Sequence, residues 1–128
     1  MSRVLIVEDE AHLAQGLRFN LEAEGHTVEV SGDGESALDR LLAKKELYDV
    51  VVLDVMLPGI DGYSLQLKIA GESSKRDLPI IVLTALEPSR TLFQKFPQVV
   101  GFMTKPFKTE ELLAAAQAAV ARSESKPS

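Results

Sequence analysis

Four short apolar runs, each halted by polar residues, constrain this chain more than any other feature of its sequence. Val4-Leu5-Ile6-Val7 stops at Glu8 and Asp9, and Val50-Val51-Val52-Leu53 stops at Asp54. Ile80-Ile81-Val82-Leu83 stops at Thr84, and Val99-Val100-Gly101-Phe102-Met103 stops at Thr104. Continuous runs of this length are what strands buried on both faces of a parallel sheet require. His26-Thr27-Val28-Glu29-Val30 alternates instead, the pattern of a half-exposed edge strand.

Helical periods separate the runs. Leu13, Leu17 and Leu21 fall four apart before a stop at Gly25, and Asp33 is placed to cap a helix with Ala37, Leu38, Leu41 and Leu42 inward. Leu65 and Ile69 predict a third helix after an Asp61-Gly62 turn. A fourth, Thr91–Phe96, gets under two turns before Pro97 forbids continuation. Thr109, as a cap followed by Glu110 and Glu111, opens an alanine-rich fifth helix through Val120. Five strands alternating with five helices predict a doubly wound α/β fold with a parallel sheet and helices on both faces, because crossovers are right-handed. The domain is expected over residues 1–121, with 122–128 a flexible polar tail.

Composition narrows the class. A chain of 128 residues fits one domain, with a core large enough to need no disulfide or metal staple. It has no cysteine, which excludes thiol nucleophiles and zinc knuckles. With 14 Lys+Arg against 19 Asp+Glu, the formal charge of −5 argues against nucleic acid as a partner. No run approaches the length of a membrane span or a secretory leader, so a cytoplasmic protein is expected, with no membrane partner.

In doubly wound sheets ligands bind beyond the carboxyl ends of the strands. Those ends carry Glu8, Asp9, Asp54, Thr84 and, just after the last strand, Lys105. Two carboxylates about 4 Å apart repel by about 4 kcal/mol at an effective dielectric of about 20, and a third worsens this. A hard divalent cation relieves the conflict. Mg²⁺ suits a site offering few protein oxygens, whereas Ca²⁺ prefers more. With the metal present, one carboxylate can attack phosphorus to form an aspartyl phosphate, while an ammonium and a hydroxyl receive the phosphoryl oxygens.

Val7-Glu8-Asp9-Glu10, Leu53-Asp54 through Leu57-Pro58-Gly59-Ile60-Asp61-Gly62, Leu83-Thr84-Ala85 and Thr104-Lys105-Pro106-Phe107 together resemble the receiver domain of bacterial two-component response regulators. The resemblance runs from about Arg3 to Val120 and extends to the single-domain, chemotaxis-regulator-like members. It implies the flavodoxin-like strand order 2-1-3-4-5, which periodicity alone does not show. It also implies that Asp54 is the phosphoacceptor, taking a phosphoryl group from a histidine kinase or histidine phosphotransfer protein. Asp9 would bind Mg²⁺ directly, Glu8 directly or through water, and Asp54 and the Met56 carbonyl would complete the protein ligands. Lys105 would contact the phosphoryl group. Thr84 would be the switch hydroxyl and Phe102 the switch aromatic, and the Lys105-Pro106 bond would be cis. The downstream partner would dock on the face made by the fourth helix, fifth strand and fifth helix.

Taken singly, several of these residues have plainer readings. Asp54 could be a loop acid, Lys105 a solvated amine, Thr84 a backbone-bonded strand end and Phe102 a core aromatic. His12 and His26 lack a partner motif. Two departures from the family matter. Met56 and Leu86, two after Asp54 and Thr84, are both apolar, which predicts slow self-dephosphorylation. The stretch from Glu87 to Gly101 departs from the usual pattern, so the fourth helix is expected to be short or displaced. There Pro88, Phe93 and Phe96 either form an exposed patch or pack down in place of a missing turn.

The expected function is a phosphorylation-controlled switch that catalyses its own phosphorylation and dephosphorylation without being a turnover enzyme. Whether the receiver stands alone or is cut from a longer regulator stays open at this level, as does its oligomeric state. The alternatives are a phosphorylation-independent interaction module and an aspartyl-phosphate-forming phosphatase. The second is disfavoured because Met56 stands where a general acid would. A flavin site lacks its phosphate loop, and a nucleotide hydrolase lacks G-x-x-x-x-G-K-[ST].

Overall fold

The apolar runs form a five-stranded sheet of order β2-β1-β3-β4-β5 in the computed structural model, which describes residues 2–57, 59–85 and 90–125. The strands are β1 (Arg3–Val7), β2 (Thr27–Ser31), β3 (Val50–Asp54), β4 (Ile80–Thr84) and β5 (Val99–Thr104), and every pairing is parallel. The order 2-1-3-4-5 is therefore present, with the reversal of winding between β1 and β3. β3 and β4 are buried throughout, as central strands covered on both faces must be. β2 is partly exposed, as expected of an edge, but does not strictly alternate: Thr27 is exposed, Val28 and Ser31 are buried, and Glu29 and Val30 are both half-buried.

Alternation along each strand splits the core in two. Val4, Ile6, Val50, Val52, Ile81 and Leu83 face α1 (Ala11–Ala23) and α5 (Thr109–Ser125). Leu5, Val7, Val51, Leu53, Ile80 and Val82 face the other layer: α2 (Gly34–Leu38, continued by a π-helical turn over Asp39–Ala43), α3 (Gly62–Ala70) and α4 (Arg90–Phe93). Three helices begin on an acid whose carboxylate takes free backbone amides. Glu10 accepts from His12 and Leu13, Asp33 from Ser36, and Asp61 from Ser64. Gly25, at φ +97°, makes the left-handed turn that ends α1.

Two expectations are corrected and one open alternative is decided. The fifth helix begins with Thr109 already in it, the carbonyl of Lys108 accepting from the amides of Glu111 and Leu112 at 3.0 and 3.3 Å, so Thr109 is not the cap. The same helix continues to Ser125, so Arg122 to Ser125, expected in a flexible tail, belong to its last turn. Phe93 is fully buried and Phe96 half-buried against Tyr63, so these two pack down and do not form an exposed patch. Leu86, Glu87 and Pro88 lie outside the described residues. Among the described residues α4 spans Arg90–Phe93. β5 carries an extra residue at Val100, between the pairs Ile80–Val99 and Ile81–Gly101.

Candidate phosphoacceptor and metal-binding site

Parallel register brings the strand ends to one rim. Val7 pairs with Leu53, Asp54 with Leu83, and Thr84 with Thr104, so the residues following β1, β3, β4 and β5 emerge together. Carboxylate oxygens of Glu8, Asp9 and Asp54 lie within 4.8 Å of one another. Glu8 and Asp54 are only 2% and 3% exposed, whereas Asp9 faces solvent.

Lys105 enters from the end of β5. Its Nζ donates to Oε1 of Glu8 at 3.0 Å and to Oδ2 of Asp54 at 3.3 Å. The reach is fixed from behind, because the Lys105 amide donates to the Thr84 carbonyl at 2.6 Å. The Lys105-Pro106 bond is cis, as the resemblance implies. The second oxygen of each buried acid also has a donor. Oε2 of Glu8 accepts from the Glu10 amide at 3.1 Å, and Oδ1 of Asp54 from the Met56 amide at 3.2 Å. The loop after Asp54 is tied down on both sides: the Val55 amide donates to the Leu83 carbonyl at 3.0 Å, and the Gly62 amide donates to the Val55 carbonyl at 2.8 Å.

Electrostatics follow from this packing. Burial, reinforced by Asp54, pushes the Glu8 carboxyl up to about 7, against the opposing pull of the Glu10 amide and Lys105. Burial alone would lower the Lys105 ammonium, but its bonds to Glu8 and its attraction to both acids outweigh this and raise it. With all acids ionised, three negative charges and one ammonium leave −2, the complement of a divalent cation. The donor set is all oxygen, hard and rich in carboxylate, and it fits Mg²⁺.

A family model described as the response regulator receiver domain matches residues 4–117. The chain belongs to that family. Response regulator ArlR of Staphylococcus epidermidis is 36% identical over 133 aligned positions, covering 98% of this chain and 56% of that protein. The receiver domain thus spans about half the length of the curated relatives it matches. Among solved structures, the receiver domain of the Francisella response regulator 1452 is 32% identical, with a TM-score of 0.81 and 95% and 98% of the two chains covered. TrrA of Thermotoga maritima, solved in complex with Mg²⁺-BeF, is 30% identical, with a TM-score of 0.80 and 93% and 99% covered. Membership places the receiver domain in two-component signalling under phosphorylation control.

The remaining candidates in this receiver domain sit one step back from the carboxylates. Thr84 ends β4 beside Asp54 and is fully buried. Phe102 lies half-buried in β5, 6.2 Å ring to ring from Phe93. The Met56 side chain is 56% exposed. Sequence reasoning missed the role of Glu10, whose amide and carboxylate both act at this rim; its only signal was a third consecutive acid before a helix. Among the described residues, no helix is long and apolar enough to cross a membrane.

Proposed function

We propose that Asp54 accepts a phosphoryl group from a phosphohistidine of a histidine kinase or histidine phosphotransfer protein, in a Mg²⁺-dependent reaction that alters the receiver's partner-binding face. The observation that carries this reading is the Lys105 ammonium held between Glu8 and Asp54 at the same rim as Asp9. Glu8, Asp9, Asp54 and the Met56 carbonyl would hold the metal, which when bound neutralises charge on the phosphoryl oxygens. An Asp54 carboxylate oxygen bonds to phosphorus as the phosphorus–nitrogen bond of the donor breaks, and the imidazole leaves with the electron pair. The Met56 amide and Lys105 keep the carboxylate aimed and relieve its charge, which is what in-line transfer asks of a protein. TrrA, to which this chain is similar, was solved in complex with Mg²⁺-BeF, and this supports the reading.

The switch would run through Thr84 and Phe102 to the face formed by α4, β5 and α5, where a downstream protein docks. Moving a two-state equilibrium from 1:99 to 99:1 takes about 5.5 kcal/mol of differential stabilisation. A phosphoryl dianion engaging an ammonium, a hydroxyl and a cation has interactions of that strength. The phosphatase reading is set aside because Met56 supplies no acid.

The test is incubation with acetyl phosphate, with and without Mg²⁺, followed by intact-mass measurement of wild type and Asp54→Ala. One metal-dependent phosphoryl adduct in wild type alone is expected. An adduct retained in Asp54→Ala, or none in either protein, overturns the assignment.

A further inference from the structure

We propose that Glu10 is a positioning residue for the metal-binding acids: by capping α1 it sets its own backbone amide against Glu8. The inference rests on the reading that Glu8 and Asp9 bind Mg²⁺.

The turn from β1 into α1 is three acids long, and both of its ends are fixed. At the strand end, the Glu8 amide continues the ladder to the Ser31 carbonyl at 3.0 Å. At the helix end, the Glu10 carboxylate accepts from the amides of His12 at 3.1 Å and Leu13 at 2.6 Å, and the Glu10 carbonyl accepts from Ala14 at 3.0 Å. Between these anchors the Glu10 amide turns back to Oε2 of Glu8 at 3.1 Å. Glu8 is almost fully buried, so it depends on protein donors to hold its carboxylate, and Lys105 occupies the other oxygen. Asp9 lies between the two fixed residues, so the cap also governs where its exposed carboxylate stands. Such outer hydrogen bonds orient metal ligands, and losing one typically weakens metal affinity about 10- to 100-fold.

Two other roles make different predictions. If Glu10 acts through its charge, any neutral residue should weaken metal binding. If it only stabilises α1, any equally destabilising change should do the same. The deciding experiment is isothermal titration of the chain with MgCl₂ for wild type, Glu10→Ala, Glu10→Gln, Glu10→Ser and Leu21→Val. The last lowers stability at the far end of α1 without touching the cap. Gln and Ser keep an oxygen that can accept from the helix amides but carry no charge, and Ala keeps neither. Glu10→Ala should bind Mg²⁺ about 10-fold more weakly, while Gln, Ser and the Leu21→Val control bind as wild type does. Equal weakening in Ala, Gln and Ser, unchanged affinity in Ala, or equal weakening in Leu21→Val each overturns the proposal. A wild type that takes up no Mg²⁺ overturns it together with the reading of Glu8 and Asp9.

Discussion

Gly62 lies directly against the backbone of Val55: a Cβ on Gly62 would sit 2.6 Å from the Val55 Cα and 2.7 Å from the Asp54 carbonyl oxygen. The start of α3 is therefore the floor on which the loop after Asp54 rests, and Asp61 holds that floor by capping the helix. Because the clash is with backbone and not with a mobile side chain, Gly62→Ala must displace one of the two segments. We expect it to cost about 2–3 kcal/mol in urea unfolding, the upper part of the usual overpacking range. It should also slow adduct formation from acetyl phosphate, since the Met56 amide that aims Asp54 belongs to the displaced loop. A fully stable, fully reactive variant would show that the contact is relieved without moving the loop.

Glu8 predicts how stability varies with pH in metal-free protein. Its carboxyl titrates near 4.5 when unfolded and near 7 when folded, because burial and Asp54 disfavour the charge. Between those values the folded state holds more protons than the unfolded state, so stability falls as pH rises through this window. The fall is of order 1–3 kcal/mol. Denaturant midpoints measured across the window with a chelator present should decline for wild type and decline less for Glu8→Gln. Rising stability over the same range would contradict the assignment.

Lys105 offsets the charge of the two buried acids, and Lys105→Met removes that compensation while preserving much of the side-chain bulk. With Glu8 and Asp54 left facing each other, the variant should lose about 2 kcal/mol at alkaline pH, less than the cost for a fully buried pair because the lysine side chain is 25% exposed. At acid pH, where Glu8 takes a proton, the loss should shrink. Urea unfolding of both proteins at the two pH values checks this, and a pH-independent loss would assign the effect to packing.

Phe93 holds α4 to the sheet. It is fully buried, edge-to-face with Tyr63 at 5.7 Å and near Phe96 and Phe102 at 6.5 and 6.2 Å. Phe93→Ala should cost about 3–5 kcal/mol. Phe96→Ala should cost less, because Phe96 is only half-buried. Equal costs would mean that the cluster is held from the Phe96 side.

The sheet, the two-sided core and the rim acids were readable because each depends on a local pattern. An apolar run marks a buried strand, and the polar residue that stops it marks the end where sites form. Lys105 was readable only as a position; that one ammonium bridges two acids, 97 and 51 residues away in sequence, is a tertiary fact. Glu10 was hidden among three consecutive acids and is not of a preferred capping type. The buried pair in which Gln66 Nε2 donates to Gln98 Oε1 at 2.9 Å left no trace either, because two isolated glutamines read as surface. The last turn of α5 escaped because Arg122-Ser123-Glu124-Ser125 has no apolar period to mark it as helix.

Met56 gives the final prediction. Its amide is bonded to Asp54, two residues before it, and at 56% exposure the thioether is open to solvent while offering incoming water no strong hydrogen-bond partner. Hydrolysis of an acyl phosphate at Asp54 needs a water held in line with the phosphorus, and an apolar neighbour leaves that water unoriented. Met56→Asn adds a donor and an acceptor without touching the buried acids or Lys105. The variant should take up phosphate from acetyl phosphate as wild type does and lose it faster, by about 10-fold if one oriented hydrogen bond is worth about 1.4 kcal/mol in the transition state. Met56→Leu, which changes shape but adds no polarity, should leave the lifetime near that of wild type. Decay of the intact-mass adduct after removal of donor measures both. If Asn and Leu shorten the lifetime equally, steric access and not water orientation governs the rate.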